Sequence, residues 1–95
     1  MRTVWKYPLP RTKVSMIEMP AGSSVLAVMV QDLEPVIYCE VDPTASPIRR
    51  GFAVFGTGDP IEGRESLHYV GTFQIRAIVY HLYTDRIEYP LEDRR

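Results

Sequence analysis

The sequence predicts an all-β protein, a small antiparallel β-sandwich of about seven or eight short strands, with a flattened barrel as the alternative closure. Three observations carry this. Side chains alternate with period two around Trp5, Tyr7 and Leu9 and again around Ile37, Cys39 and Val41, as a pleated strand requires. Pro, Gly and Asp punctuate the chain at intervals of about ten residues, the spacing at which short strands turn. No stretch sustains the apolar repeat of a long helix.

The first strand is expected over Thr3 to Leu9, and Pro8 inside it points to a sheet edge, because proline has no N–H for a second neighbour. After a turn at Pro10 and Arg11, a second strand runs from about Thr12 to Met19. Its apolar side chains change face between Val14/Met16 and Ile17/Met19, which predicts a bulge near Ser15 to Ile17. Pro20-Ala21-Gly22 ends it. Ser24 to Gln31 holds six consecutive apolar residues, Val25 to Val30, and reads as a central strand buried on both faces. Its valines and flanking turn residues favour a strand over a short buried helix.

Asp32 to Pro35 then turns the chain into a fourth strand, Val36 to Val41, making an antiparallel hairpin. The polar segment Asp42 to Ile48 connects it to Arg49 and Arg50, which precede a fifth strand over Gly51 to Phe55. Gly56 to Glu65 contains three glycines and a proline and follows no period, so it reads as a long loop of the kind that carries binding residues. A sixth strand covers Ser66 to Gln74, where Gly71 leaves room for a neighbour to approach closely. Ile75 to Ala77 makes a tight return into a seventh strand, Ile78 to Tyr83, and a short last strand is expected over Arg86 to Tyr89.

Length and composition bound what such a domain does. Ninety-five residues suit one domain, taken as residues 1–90 with a charged tail at 91–95. Eleven basic against twelve acidic residues give a net charge of −1, which excludes the broad positive field of a non-specific nucleic-acid binder or a protein held on an anionic membrane. A single cysteine, Cys39, excludes an intrachain disulfide framework and fits a reducing cytoplasm. The N-terminus has no apolar leader, and Val25 to Val30 falls far short of the about 20 residues that span a bilayer.

No catalytic, metal or cofactor signature stands out. Gly56-Thr57-Gly58 resembles a fragment of a phosphate-cradling loop, yet the full glycine triad and the Walker lysine are both missing, and a turn with positive φ accounts for it as well. Asp59-Pro60 suits that turn. His68 and His81 would need to meet to share a metal or act as acid and base. Pairing of the sixth and seventh strands places His81 opposite Thr72 and Gly71, with His68 roughly 10 Å further along, so separate roles are expected. Cys39 reads as a small buried hydrophobe. Arg49 and Arg50 read as a solvated edge or as contacts for one or two phosphates. Six of the ten aromatic residues are tyrosines, which suit half-buried strands and also ligand-stacking faces; Tyr38 and Tyr69 are candidates for the latter.

Five motifs occur together and in order: Val4-Trp5-Lys6-Tyr7-Pro8-Leu9-Pro10, Glu18-Met19-Pro20-Ala21-Gly22, Gly56-Thr57-Gly58-Asp59-Pro60-Ile61, Gly71-Thr72-Phe73-Gln74 and Val79-Tyr80-His81-Leu82-Tyr83. As a set they resemble a family of small uncharacterised proteins found in phages, prophages and their bacterial hosts. The resemblance covers roughly residues 3–83. It transfers no activity, and it implies a context: an accessory protein of a mobile element acting in the cytoplasm of an infected bacterium. The chain departs from the family at Asp59, where relatives often carry His, and at Ile75 to Ala77, where they carry glycines. That departure speaks against a histidine mechanism seated in the loop.

The expectation drawn from residues and resemblance together is a non-enzymatic binding protein, self-associating, with no cofactor. Its sharpest form is a counter-defence protein that sequesters a host nucleotide signal. Arg49, Arg50 and the backbone of Gly56, Thr57 and Gly58 would meet phosphates, Tyr38 or Tyr69 would stack a base, and Asp59 and His81 would complete the ligand set. The alternatives are a structural, assembly or host-protein-interaction protein of a phage and a small hydrolase using His81 or His68.

Overall fold

A computed structural model describes residues 1–91. Its seven strands are β1 (Thr3–Pro8), β2 (Val14–Pro20), β3 (Ser24–Gln31), β4 (Glu34–Val41), β5 (Pro47–Gly56), β6 (His68–Ile75) and β7 (Ile78–Thr84), with one 3-10 turn at Arg64–Ser66. They form two antiparallel sheets, a three-stranded one in the order β1-β4-β3 and a four-stranded one in the order β2-β5-β7-β6. The molecule is thus an open sandwich and not a closed barrel. Among the described residues no helix is long and apolar enough to cross a membrane. Residues 92–95, most of the expected charged tail, lie outside the described residues.

Alternation decides which side chains enter the space between the sheets. On β4, Ile37, Cys39 and Val41 are completely buried; from the other sheet Met19, Phe52, Phe73 and Leu82 meet them. β3 packs against β6, and Val28 comes close to Gly71 there. A Cβ built there would lie 3.0 Å from Val28 Cγ1, so glycine lets the two sheets close at this point.

β1 is an edge strand, as Pro8 predicts. β3 is not central: it too is an edge, with only β4 beside it. Its apolar run divides between the two faces, so that Val25, Val28 and Val30 pack on the core while Leu26 and Met29 remain about half exposed. The bulge expected in β2 is absent, since its register with β5 is unbroken from Val14↔Ala53 to Pro20↔Pro47. Val14 and Met16 simply face outward and are exposed. The irregularities occur instead at Val25/Ala27 on β3 and at Tyr69/Gly71 on β6.

The β3–β4 hairpin is tighter than expected. Gln31 pairs with Glu34 across Asp32 and Leu33, whose φ angles of 51° and 68° define the two-residue turn that matches strand twist. β5 starts at Pro47 and so takes Arg49 and Arg50 into the sheet. The last expected strand reduces to one bridge, Arg49↔Tyr89, which straps the chain after β7 across β5.

Candidate functional site

The register of β5, β7 and β6 sets two cross-strand rows side by side on the outer face of the four-stranded sheet. Phe55, His81 and Thr72 make one row and Ala53, Tyr83 and Tyr69 the next. Parity puts these side chains outward because their neighbours Val54, Leu82 and Phe73 face the core. The rings of Phe55 and Tyr83 meet edge to face at 5.6 Å and 84°, and Tyr69 meets Tyr83 at 5.6 Å and 65°. Arg64, brought in by the 3-10 turn, lies 5.5 Å above the Tyr83 ring, in cation–π range. Tyr69 is 55% exposed, so its ring offers a free surface at the border of this group.

Beside the rings runs a chain of hydrogen bonds. His81 Nε2 lies 2.8 Å from Thr57 Oγ1, His81 Nδ1 lies 2.9 Å from Thr72 Oγ1, and that hydroxyl lies 2.5 Å from the phenol of Tyr69. Both imidazole nitrogens are therefore engaged by hydroxyls. In a Ser-His-Asp triad the second nitrogen faces a carboxylate that stabilises the imidazolium. Here it faces Thr72, and the geometry describes a chain of hydrogen bonds between neutral side chains and the imidazole.

The glycine loop is closed on itself. Gly56 N–H donates to Asp59 Oδ2 at 2.8 Å, and Asp59 N–H donates back to Gly56 O at 3.1 Å. Gly58 has φ +95°, a conformation L side chains rarely adopt. The turn reading of this segment therefore holds, and the Gly56 amide that a phosphate would use is taken by the Asp59 carboxylate. What the loop contributes to the outer face is the hydroxyl of Thr57.

Tyr69, His81 and Thr57 thus come together, with Gly56, Gly58 and Asp59 shaping the loop that delivers Thr57. The other candidates stand apart. Tyr38 belongs to β4 and faces outward on the opposite sheet, paired with Lys6 and Ala27. Arg49 and Arg50 lie seven and six residues before Gly56 on β5, about 20–24 Å along the strand.

Arg49 exchanges both backbone hydrogen bonds with Tyr89. Arg50 is only 6% exposed and points into the sandwich, which corrects its reading as a solvated edge. Its guanidinium donates to Ser23 O at 3.2 Å and to Glu88 Oε2 at 3.4 Å, and that same carboxylate oxygen accepts from the Gly22 amide. Cys39 lies in the same interior, as expected of a buried small residue, and desolvation pushes its thiol up to about 11 against the pull of Arg50.

His68 pairs with Thr84 and His81 with Thr72, so the two histidines occupy separate rows. Among the described residues no group of three metal-ligating side chains occurs. The sequence reading set Thr72 opposite His81 but counted neither it nor Tyr83, Arg64 or Phe55 among the candidate binding residues. Tyr83 shares parity with His81, and that relation alone was enough to place it on the same face.

Fold and site together define a two-sheet β-sandwich carrying a hydroxyl- and ring-rich outer face. The chain belongs to the family described as "Domain of unknown function (DUF7352)", whose model matches residues 1–91. Comparison with curated proteins and with solved structures returned no match.

Proposed function

We propose that this is a non-enzymatic, phage-type accessory protein of the host cytoplasm that binds a small ligand carrying a planar ring on the outer face of the four-stranded sheet. The observation that carries the reading is the chain Thr57–His81–Thr72–Tyr69 lying against the Phe55–Tyr83–Tyr69 rings. A host nucleotide signal suits such a face. Its base stacks on Tyr69, the Thr57 hydroxyl meets a polar edge, and Arg64 takes the phosphate contact that Arg49 and Arg50 are too distant to make. Calorimetric titration with cyclic nucleotides and ADP-ribose derivatives tests this. Binding at micromolar strength is expected, and Tyr69→Ala is expected to weaken it by about 5- to 150-fold, since base stacking contributes about 1–3 kcal/mol. Silence across the panel removes the reading.

A second reading, assembly through a homo-oligomer, is favoured by one feature of β3. Of the four edge strands, β1 carries Lys6 and Pro8, β2 carries Glu18 and Pro20, and β6 carries His68 and Gly71, whereas Ser24–Gln31, though irregular at Val25/Ala27, holds no charge, proline or glycine. Such an edge invites another strand. Sedimentation of native protein beside a Leu26→Lys/Met29→Lys double variant tests it: a native dimer that the variant abolishes supports assembly, and a native monomer excludes it.

A further inference from the structure

A second site lies at the end of the sandwich where the chain crosses from β1 to β2. There the sheets part around a cleft of about 320 Å³, within the size range of small-molecule sites. Its floor is apolar: Val54, Phe73, Ile75 and Tyr80 contribute, and the Phe73 and Tyr80 rings lie stacked at 5.4 Å and 23°. Its rim is charged in a polar arrangement. Arg11 and Lys13, from the β1–β2 crossing, bear positive charge, while Asp59 comes from the glycine loop after β5. Arg11 is already held, donating to Leu33 O at 2.6 Å and pairing with Glu34 at 3.3 Å. Lys13 makes no ion pair among the described residues.

We propose that this cleft binds a small organic monoanion, an aryl or alkyl carboxylate whose apolar body lies on the Phe73–Tyr80 floor and whose head meets Lys13. An apolar floor attracts the body by removing it from water, and the ammonium is a compact point charge suited to one carboxylate. The Asp59 carboxylate shares the lining, so a second negative charge on the ligand meets repulsion. A doubly charged phosphate monoester is therefore selected against. This site does not depend on the outer-face reading.

The test is a titration of the native protein with 4-phenylbutyrate, followed by amide NMR shifts, beside the neutral 4-phenylbutanol and the dianionic phenyl phosphate. Saturable shifts at Leu9, Arg11, Thr12 and Lys13 and at residues 54–56 and 73–75 are expected from the carboxylate. Lys13→Glu and the milder Lys13→Met, both at an exposed position, are each expected to weaken it about tenfold or more, given the strength of a hydrogen bond to a charged group. Tyr69→Ala is expected to leave it unchanged. The proposal is overturned if the carboxylate produces no saturable shift there, if the alcohol or the phosphate binds equally well, or if both Lys13 variants retain native affinity with a native spectrum.

Discussion

Arg50 occupies a position that alternation assigns to the core. Ile48, Arg50, Phe52 and Val54 point inward in sequence along β5, so the guanidinium enters the sandwich and its charge must be met there. Glu88, from the strap after β7, meets it. Removing Glu88 leaves a buried cation short of its partner, whereas replacing Arg50 with an apolar side chain removes the need for one. Glu88→Ala is therefore expected to cost roughly 1–3 kcal/mol in urea unfolding and Arg50→Met less, the order typical of buried pairs. The reverse order contradicts this account.

Cys39 supplies a pH signature. Its folded-state value of about 11 stands above the ordinary thiol value of 9.0, so the unfolded chain loses its proton first as pH rises. The folded state then holds more protons than the unfolded one, and stability falls between those values, by roughly 2–3 kcal/mol from two units of pKa difference. Tyr7, raised by burial, acts in the same direction at higher pH. Alkaline denaturation of wild type against Cys39→Ala reads this directly: the alkaline loss shrinks in the variant. Cys39 as a buried residue was legible from its place mid-strand. Arg50 was hidden because an arginine pair beside a polar segment looks like the end of a loop, although Ile48-x-Arg50-x-Phe52 continues the inward face.

At the scale of elements, strand parity and turn chemistry carried most of the information. Trp5, Tyr7 and Leu9 marked β1, and the return near Arg76 set the β6–β7 register so that Thr72 falls opposite His81, as expected. What parity does not reveal is which strand lies beside which. Ser24–Gln31 looked central because its composition is apolar throughout, but an edge strand that both covers a core and leaves Leu26 and Met29 outward has the same composition. The bulge at Val70 was equally hidden, since Tyr69 and Gly71 straddle it without any break in polarity.

Two substitutions test the geometry of these elements. Gly71→Ala brings a methyl to 3.0 Å from Val28 Cγ1 and is expected to destabilise by about 1–2 kcal/mol through overpacking, with Val28→Ala restoring much of it in a double-mutant cycle. Additive losses contradict a direct contact between β3 and β6. Leu33 holds φ +68° in the β3–β4 turn, so Leu33→Gly is expected to stabilise by roughly 0.5–1 kcal/mol in thermal unfolding. A loss of that size contradicts the two-residue turn.

For the molecule as a whole, folding one sheet over the other leaves two outer faces, two pairs of strand edges and two open ends as the places where anything can bind. The face built from β5, β6 and β7 gathers rings, hydroxyls and Arg64, and the open end at the β1–β2 crossing gathers an apolar floor with opposite charges at its rim. The sandwich was legible in the sequence. The assembly of the site was only partly so, because Tyr69, His81 and Thr57 are joined by the pairing of β6, β7 and β5 and by the fold of a loop, neither of which leaves a periodic trace.

The most direct measurement is an amide shift map of the native protein during titration with the nucleotide that binds most tightly in calorimetry. The account predicts that shifts concentrate at Thr57, Arg64, Tyr69, Thr72, His81 and Tyr83. Shifts centred instead on Lys6, Ala27 and Tyr38 of the opposite sheet, or on Arg49 and Arg50, would contradict it.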